Sequence, residues 1–300
     1  MSAFSPYAEL LAELPVSEHV ATLHGSETHY WIYGPQDAAQ TVVVVHGYRG
    51  EHHGLEPVIA QFRGVRFVCP DLPGFGESSE LDGEHSVENY ARWLEAFIAH
   101  TNTQNAVLLG HSFGSIVTSH AVANGLVTPP KLVLINPIAA PAIEGPSAFL
   151  TRLTTGFYRF SLRLPERLGY WLLSNWLIIR GMSLAMVVTR NRMLRRFVHD
   201  QHHTYFGRFA TRTSVVEGFE ASVSGTVRDY AARIDVPTLL IGAEKDQINS
   251  VANLRALDEL MPNSTLHIIP NVGHLIHYET PRPAAQYIVD FVGVGELAPV

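Results

Sequence analysis

The chain alternates short, uninterrupted apolar runs with segments of helical period. TVVVVHG (41–47), VRFVCPD (65–71), AVLLG (106–110) and KLVLINP (131–137) are β-branched or leucine-rich and end in glycine, proline or a polar residue. Runs of this length without alternation predict strands buried on both faces. SVENYARWLEAFIAH (86–100) sets Val87, Tyr90, Leu94, Phe97 and Ile98 at helical spacing behind Ser86, a residue type suited to an N-cap. HVATLHGSETHYWIYG (19–34) predicts two strands around a Gly-Ser turn, after a short helix stopped by Pro15. The rhythm returns late. PTLLIGAEKD (237–246) predicts a strand with a polar end, and VANLRALDELMP (251–262) a helix. STLHIIPNVGH (264–274) predicts a strand and loop, and RPAAQYIVDFV (282–292) a closing helix. This alternation implies an α/β fold: a mostly parallel central sheet with helices on both faces.

From about 138 to 230 the pattern changes. β-Branched runs bounded by turn signals give way to leucine, arginine and aromatics. The expected organisation is a core domain from 1–137 and 231–300, with a helical insertion at 138–230. Residues 151–212 hold eleven arginines against two acids, Glu166 and Asp200. The whole chain carries −7, so the remainder is strongly acidic. General nucleic-acid binding is therefore not expected. The basic insertion suits either pairing with the acidic core or weak contact with an anionic membrane surface.

WLLSNWLIIRGMSLAMVV (171–188) is the most lipid-like stretch, but Asn175, Arg180 and Gly181 interrupt it. It predicts a buried or interfacial helix, not a span. MSAFSPYAELLAELP at the amino terminus lacks a basic segment leading into an apolar one, so a cytoplasmic location is expected. Cys69 is the single cysteine, which excludes an internal disulfide, and it falls in a strand. The sixteen histidines form no His/Cys cluster with metal-ligand spacing. No metal is expected, and the pairs at 52–53 and 202–203 read as surface features.

In an open α/β sheet, ligands bind beyond the carboxyl ends of the strands. The polar residues placed there are His46-Gly47-Tyr48, Asp71, Ser112, Asn136, Asp246 and His274. GHSFG (110–114) alone is weak, because five residues recur by chance. A nucleophile, an acid and a base nevertheless follow in the order Ser–Asp–His. VVVVHGY, DLPGFGES, GHSFG, and GAEKDQI with PNVGH together resemble the α/β-hydrolase family over nearly the whole chain.

That resemblance implies a nucleophile elbow at Ser112, with Gly110 and Gly114 giving room where strand and helix approach. His274 would be the base and Asp246 its orienting acid. The backbone N–H groups of Tyr48 and Phe113 would form the oxyanion hole, in a loop shaped by His46 and Gly47. His111 is expected to pack beside the elbow. His277 competes with His274, but the family pattern puts the base directly after glycine. Some relatives carry the acid where this chain has Asn136, which cannot hold a negative charge; this favours Asp246. Asp71 is read as a structural acceptor of backbone amides.

A serine nucleophile implies an acyl-enzyme, so the expected activity is a serine hydrolase of carboxylic esters with apolar acyl groups, needing no cofactor. The alternatives are a C–C bond hydrolase of acidic diketones, an acyltransferase on the same triad, a cofactor-free haloperoxidase, and a non-enzymatic ligand receptor. The insertion would cap the site, with Phe149, Phe157, Tyr158, Phe160, Tyr170, Trp171, Trp176 and Met182 available to line a cavity. The Gly/Pro-containing junction PIAAPAIEGP (137–146) suggests that the cap moves.

Overall fold

A computed structural model describes residues 5–141, 148–293 and 295–299. Eight strands form one sheet: β1 (Val16–Leu23), β2 (Ser26–Tyr33), β3 (Gln40–Val45), β4 (Val65–Pro70), β5 (Val107–His111), β6 (Leu132–Ile135), β7 (Thr238–Ala243) and β8 (Ser264–Ile269). Their spatial order is β1-β2-β4-β3-β5-β6-β7-β8. The β1–β2 hairpin and the β2–β4 pair are antiparallel, and every pair from β4 to β8 is parallel. His24 and Gly25 turn the hairpin, both at positive φ. A second, two-stranded sheet pairs Phe62–Arg63 with Glu296–Leu297, which the sequence pattern did not reveal.

Side chains alternate across a strand, so each buried run feeds two cores. Val43 and Val45 join Leu108, Leu134 and Leu240 on one face, covered by helices Val87–His100 and Phe113–Ala123. Val42 and Val44 join Leu109, Ile135 and Ile241 on the other, covered by helix Pro281–Val292. Cys69 is free and buried in this second core. Ser86 caps its helix by accepting from the Asn89 N–H at 3.3 Å, as expected.

Among the described residues five α-helices stand between β6 and β7, Ala148–Arg163, Glu166–Leu173, Trp176–Met186, Arg192–Tyr205 and Arg212–Ser224, followed by two short 3-10 turns, Val227–Asp229 and Ala231–Arg233. The lipid-like stretch 171–188 is thus not one helix. It breaks at Ser174-Asn175, where the Asn175 side chain accepts from the Leu177 N–H at 2.9 Å and starts a new helix. No helix among the described residues is long and apolar enough to cross a membrane. Part of the junction 137–146 lies outside the described residues, as does the side chain of Phe149.

Candidate active site

β5 ends at His111, and the next helix begins at Phe113. Ser112 alone makes the turn, at φ +52° and ψ −118°. A non-glycine residue held there is strained, and its side chain is pushed out of the backbone path. Glycines make room for the turn. A Cβ on Gly114 would collide with the carbonyl oxygen of Val45 on the neighbouring strand, and one on Gly110 would stand 2.7 Å from the Gly114 carbonyl oxygen. The helix therefore packs backbone to backbone against β3 and β5.

Three strand ends converge on this turn. Ser112 Oγ lies 2.8 Å from His274 Nε2, and His274 Nδ1 lies 2.9 Å from Asp246 Oδ2. The carboxylate can only accept, so Nδ1 carries the ring proton and Nε2 offers its lone pair to the serine hydroxyl. His274 and Asp246 side chains are almost fully buried. Burial raises the Asp246 carboxyl pKa, but the charge and hydrogen bond of His274 outweigh it, as do N–H groups from Ile248 and Asn136. The net result lies below the ordinary carboxylate range. Asn136, itself at φ +47°, donates from Nδ2 to Asp246 Oδ2 at 2.9 Å. The residue noted only for lacking charge thus supports the acid that the next strand supplies.

Gln247 was not singled out from the sequence. Its Oε1 accepts from the His274 backbone N–H at 3.2 Å, and its Nε2 donates to the Met186 carbonyl at 3.3 Å. It joins the loop carrying the base to the helical insertion. Only the sequence neighbourhood of Asp246 hinted at it.

The loop after β3 closes the other side. Gly47 lies against the elbow, where a Cβ would stand 3.1 Å from that of Ser112. His46 donates from Nδ1 to the Gly47 carbonyl at 2.8 Å, and its Nε2 accepts from the Leu72 N–H at 2.7 Å. Burial lowers its pKa, which keeps it neutral in this bridging role. Among the described residues the backbone N–H groups of Tyr48 and Phe113 donate to no other group, which leaves both free for a ligand. The Tyr48 hydroxyl is engaged with the Val215 carbonyl at 2.8 Å, so its ring forms a wall.

His111 and His277 lie behind the base, with ring centroids 4.2 Å apart. Burial and the neighbouring His274 and His46 push the His111 pKa down to about 3. Burial, with His111 and His274 adding to it, also lowers His277. Both are neutral packing groups at the elbow, and the Ser112 hydroxyl bonds His274 instead. Asp71 fills its structural role by accepting from the His52 N–H at 2.8 Å and the Glu77 N–H at 2.9 Å.

The paired histidines correct the expectation from sequence. His52 is buried, stacked on Trp31 and bonded from Nδ1 to Asp71 Oδ1 at 2.8 Å. His202 is fully buried, with Nδ1 2.7 Å from Ser183 Oγ. Only their partners, His53 and His203, reach solvent in part. Glu51, His52 and His53 also bring donor atoms within 4.8 Å of one another, a grouping that the absence of spaced ligands did not suggest. Their nitrogens already bond Asp71 and Glu51, at 2.8 Å and 2.6 Å.

A cavity of about 740 Å³ opens above Ser112. Its floor is His46, Gly47, Tyr48 and His274; its roof is Leu153, Phe157, Tyr158, Ile178, Met182 and Phe219 from the insertion. Of the aromatics expected to line it, Phe160, Tyr170, Trp171 and Trp176 do not, and they are exposed instead. Arg49 is the arginine that lines it, and its donors are directed at the insertion: Nε to the Phe206 carbonyl at 2.9 Å and Nη2 to the Leu173 carbonyl at 2.8 Å. These carbonyls lie at the carboxyl ends of two helices, where a cation is favoured.

A profile described as the Alpha/beta hydrolase family matches residues 42–287. The chain belongs to the α/β-hydrolase family. It is similar to a non-heme chloroperoxidase of Burkholderia pyrrocinia, at 25% identity over 85% of this chain and 92% of that protein. It is equally similar to a 2-hydroxy-6-oxononadienedioate/2-hydroxy-6-oxononatrienedioate hydrolase of Pseudomonas putida, at 25% over 89% of this chain and 91% of that protein. Its fold matches that of an esterase from Exiguobacterium antarcticum with a TM-score of 0.75, at 18% identity over 92% of this chain and 98% of that one. Relatives with different reactions thus share this family's fold, and only the site can discriminate among them.

Proposed function

We propose that this α/β hydrolase cleaves carboxylic esters of apolar acyl groups through an acyl-enzyme on Ser112. The observation that carries the reading is the hydrogen-bonded series Ser112–His274–Asp246 at the floor of an apolar cavity. His274 Nε2 takes the hydroxyl proton as Ser112 Oγ attacks the ester carbonyl carbon. The oxygen of the tetrahedral intermediate then accepts from the free N–H groups of Tyr48 and Phe113. Collapse breaks the ester C–O bond, and the alcohol leaves with the proton from His274. Water, activated by the same imidazole, releases the acid. Asp246 fixes the tautomer and stabilises the imidazolium. The insertion acts as a cap over this cavity, and its roof residues size the acyl pocket.

The related C–C hydrolase, whose name specifies a dioate substrate, raises the alternative of an acidic substrate. Such a substrate needs a cation free to meet it. The arginines of the insertion do not line the cavity, and Arg49 is bonded to two main-chain carbonyls. An apolar acyl group fits these walls better. Hydrolysis of p-nitrophenyl esters from acetate to palmitate tests the reading, with Ser112→Ala in parallel. The expected result is a chain-length optimum at a medium or long acyl group and a loss of about 10⁴-fold or more in kcat in the variant. Equal rates for variant and wild type would overturn it.

A further inference from the structure

The outer helices of the insertion carry apolar side chains that are about half or more exposed, Trp176 with one ring face stacked on His203. Trp171, Trp176, Leu177 and Leu184 are 61%, 59%, 69% and 49% exposed. Single exposed apolar residues are common on protein surfaces, but this set is clustered. Helix Trp176–Met186 divides into three sectors at about 100° per residue. Ile178, Met182 and Met186 face the cavity above Ser112. Ile179 and Ser183 are buried against the neighbouring helix. Trp176, Arg180, Leu184 and Leu177 share the remaining sector, which faces outward. One helix earlier, Leu168 and Trp171 are spaced i, i+3 and both exposed.

Arg167 and Arg180 lie on these same two helices, Arg163 ends the helix before them, and Arg192 and Arg196 lie on the helix after. Arg163, Arg167, Arg192 and Arg196 are exposed, and they and Arg180 form no ion pair among the described residues. The acids of the chain lie mainly elsewhere: residues 151–212 contain only Glu166 and Asp200. An apolar stripe with two indoles, on and beside helices that carry unpaired guanidinium groups, matches the two layers of a lipid surface. Tryptophan places its ring at the acyl boundary and its N–H among the head groups, while arginine meets phosphate. An acidic protein partner would satisfy the arginines but leave the indoles and Leu177 to be covered by a separate apolar patch.

We propose that the outward face of helices Glu166–Leu173 and Trp176–Met186 docks on the surface of an anionic lipid bilayer. The same helix then borders lipid on one sector and the cavity on the next. This inference stands apart from the chemistry at Ser112, because binding is read without turnover.

The test is co-sedimentation of the full chain with vesicles of phosphatidylcholine alone and of phosphatidylcholine with an equal part of phosphatidylglycerol. Wild type is expected to partition at least tenfold more strongly onto the anionic vesicles, with the difference shrinking as salt is added. The double variant Trp171→Ser with Leu177→Ser is expected to lose at least tenfold of that partition. Replacing Arg163, Arg167 and Arg180 with glutamine is expected to lose about 100-fold. Trp171, Leu177, Arg163 and Arg167 are exposed and Arg180 is half-buried, and unchanged thermal midpoints would show that the variants fold. Equal or absent partition of wild type onto both vesicle types would overturn the proposal, as would full partition by the Trp171/Leu177 variant. Sedimentation equilibrium supplies a further outcome: a dimer dissolved by the same double variant would assign the face to a second copy of the chain and overturn the lipid reading.

Discussion

The carboxyl end of the sheet and the outer helices of the insertion place their side chains by opposite rules. At the sheet end, the groups that flank Ser112 are held by neighbours: a glycine without room for a Cβ, a histidine bonded on both nitrogens, an acid with four donors. On the outer helices, Trp171 and Leu177 are more than half exposed, and arginines stand without acidic partners. Few degrees of freedom at the sheet end suit the proposed reaction, and unmade contacts on the outer helices suit the proposed docking. Changes at the first should therefore abolish activity or folding, and changes at the second should leave both intact.

The largest effect expected is on kcat from Asp246→Asn. The amide can donate to His274 Nδ1 and favour the wrong tautomer, so a loss of about 10⁴-fold should appear in steady-state kinetics while thermal stability changes little. An unchanged kcat would move the acid elsewhere and weaken the contrast between the two regions.

Gly114→Ala comes next. The added Cβ meets the Val45 carbonyl, which belongs to the sheet and cannot step aside cheaply. Chemical denaturation should show a cost of about 1–3 kcal/mol, together with reduced kcat from a shifted Ser112.

A pH experiment compares the elbow with the buried side of the insertion, because each holds a buried neutral histidine. Burial, with His199 and His203 adding to it, pushes the His202 pKa in the insertion down to about 3, matching His111 at the elbow. Above the ordinary histidine pKa, native and unfolded chains are both neutral at these positions. Below it, the unfolded chain takes up protons that the native state refuses, so stability falls as pH drops toward about 3. Each of the two should cost about 2 kcal/mol at pH about 5. His202→Gln should flatten the slope of stability against pH in denaturation curves between about pH 7 and 5. An unaltered slope would mean that His202 is protonated within the fold.

Leu177→Ser should produce the smallest effect, a change in stability within about 0.5 kcal/mol. A larger loss would mean that the outer face supports the fold.

How much of this was legible in the sequence follows the same division. The strands around the elbow were readable because burial on both faces demands unbroken apolar runs, and Val42–Val45 and Leu132–Ile135 obey that demand. Ser112, Asp246 and His274 were readable as candidates because each follows such a run, and the structure brings all three together. The spatial order of the strands was not readable, since pairing of β4 with both β2 and β3 leaves no local mark. His52 and His202 were misjudged because histidine pairs look polar, and only the fold shows Trp31 stacked on one and Ser183 bonded to the other. Within the insertion, helical period was clear but orientation was not. Tyr158 and Trp171 belong to the same residue class, yet one lines the cavity and the other faces solvent.

The most direct measurement is covalent labelling with a fluorophosphonate, followed by mass mapping of the modified peptide. Ser112 Oγ should displace fluoride and carry a single phosphonyl adduct, at a rate that falls by orders of magnitude in His274→Ala. An unlabelled Ser112 in a chain that still hydrolyses esters, or a rate indifferent to His274, would contradict the assignment of this turn as an activated nucleophile.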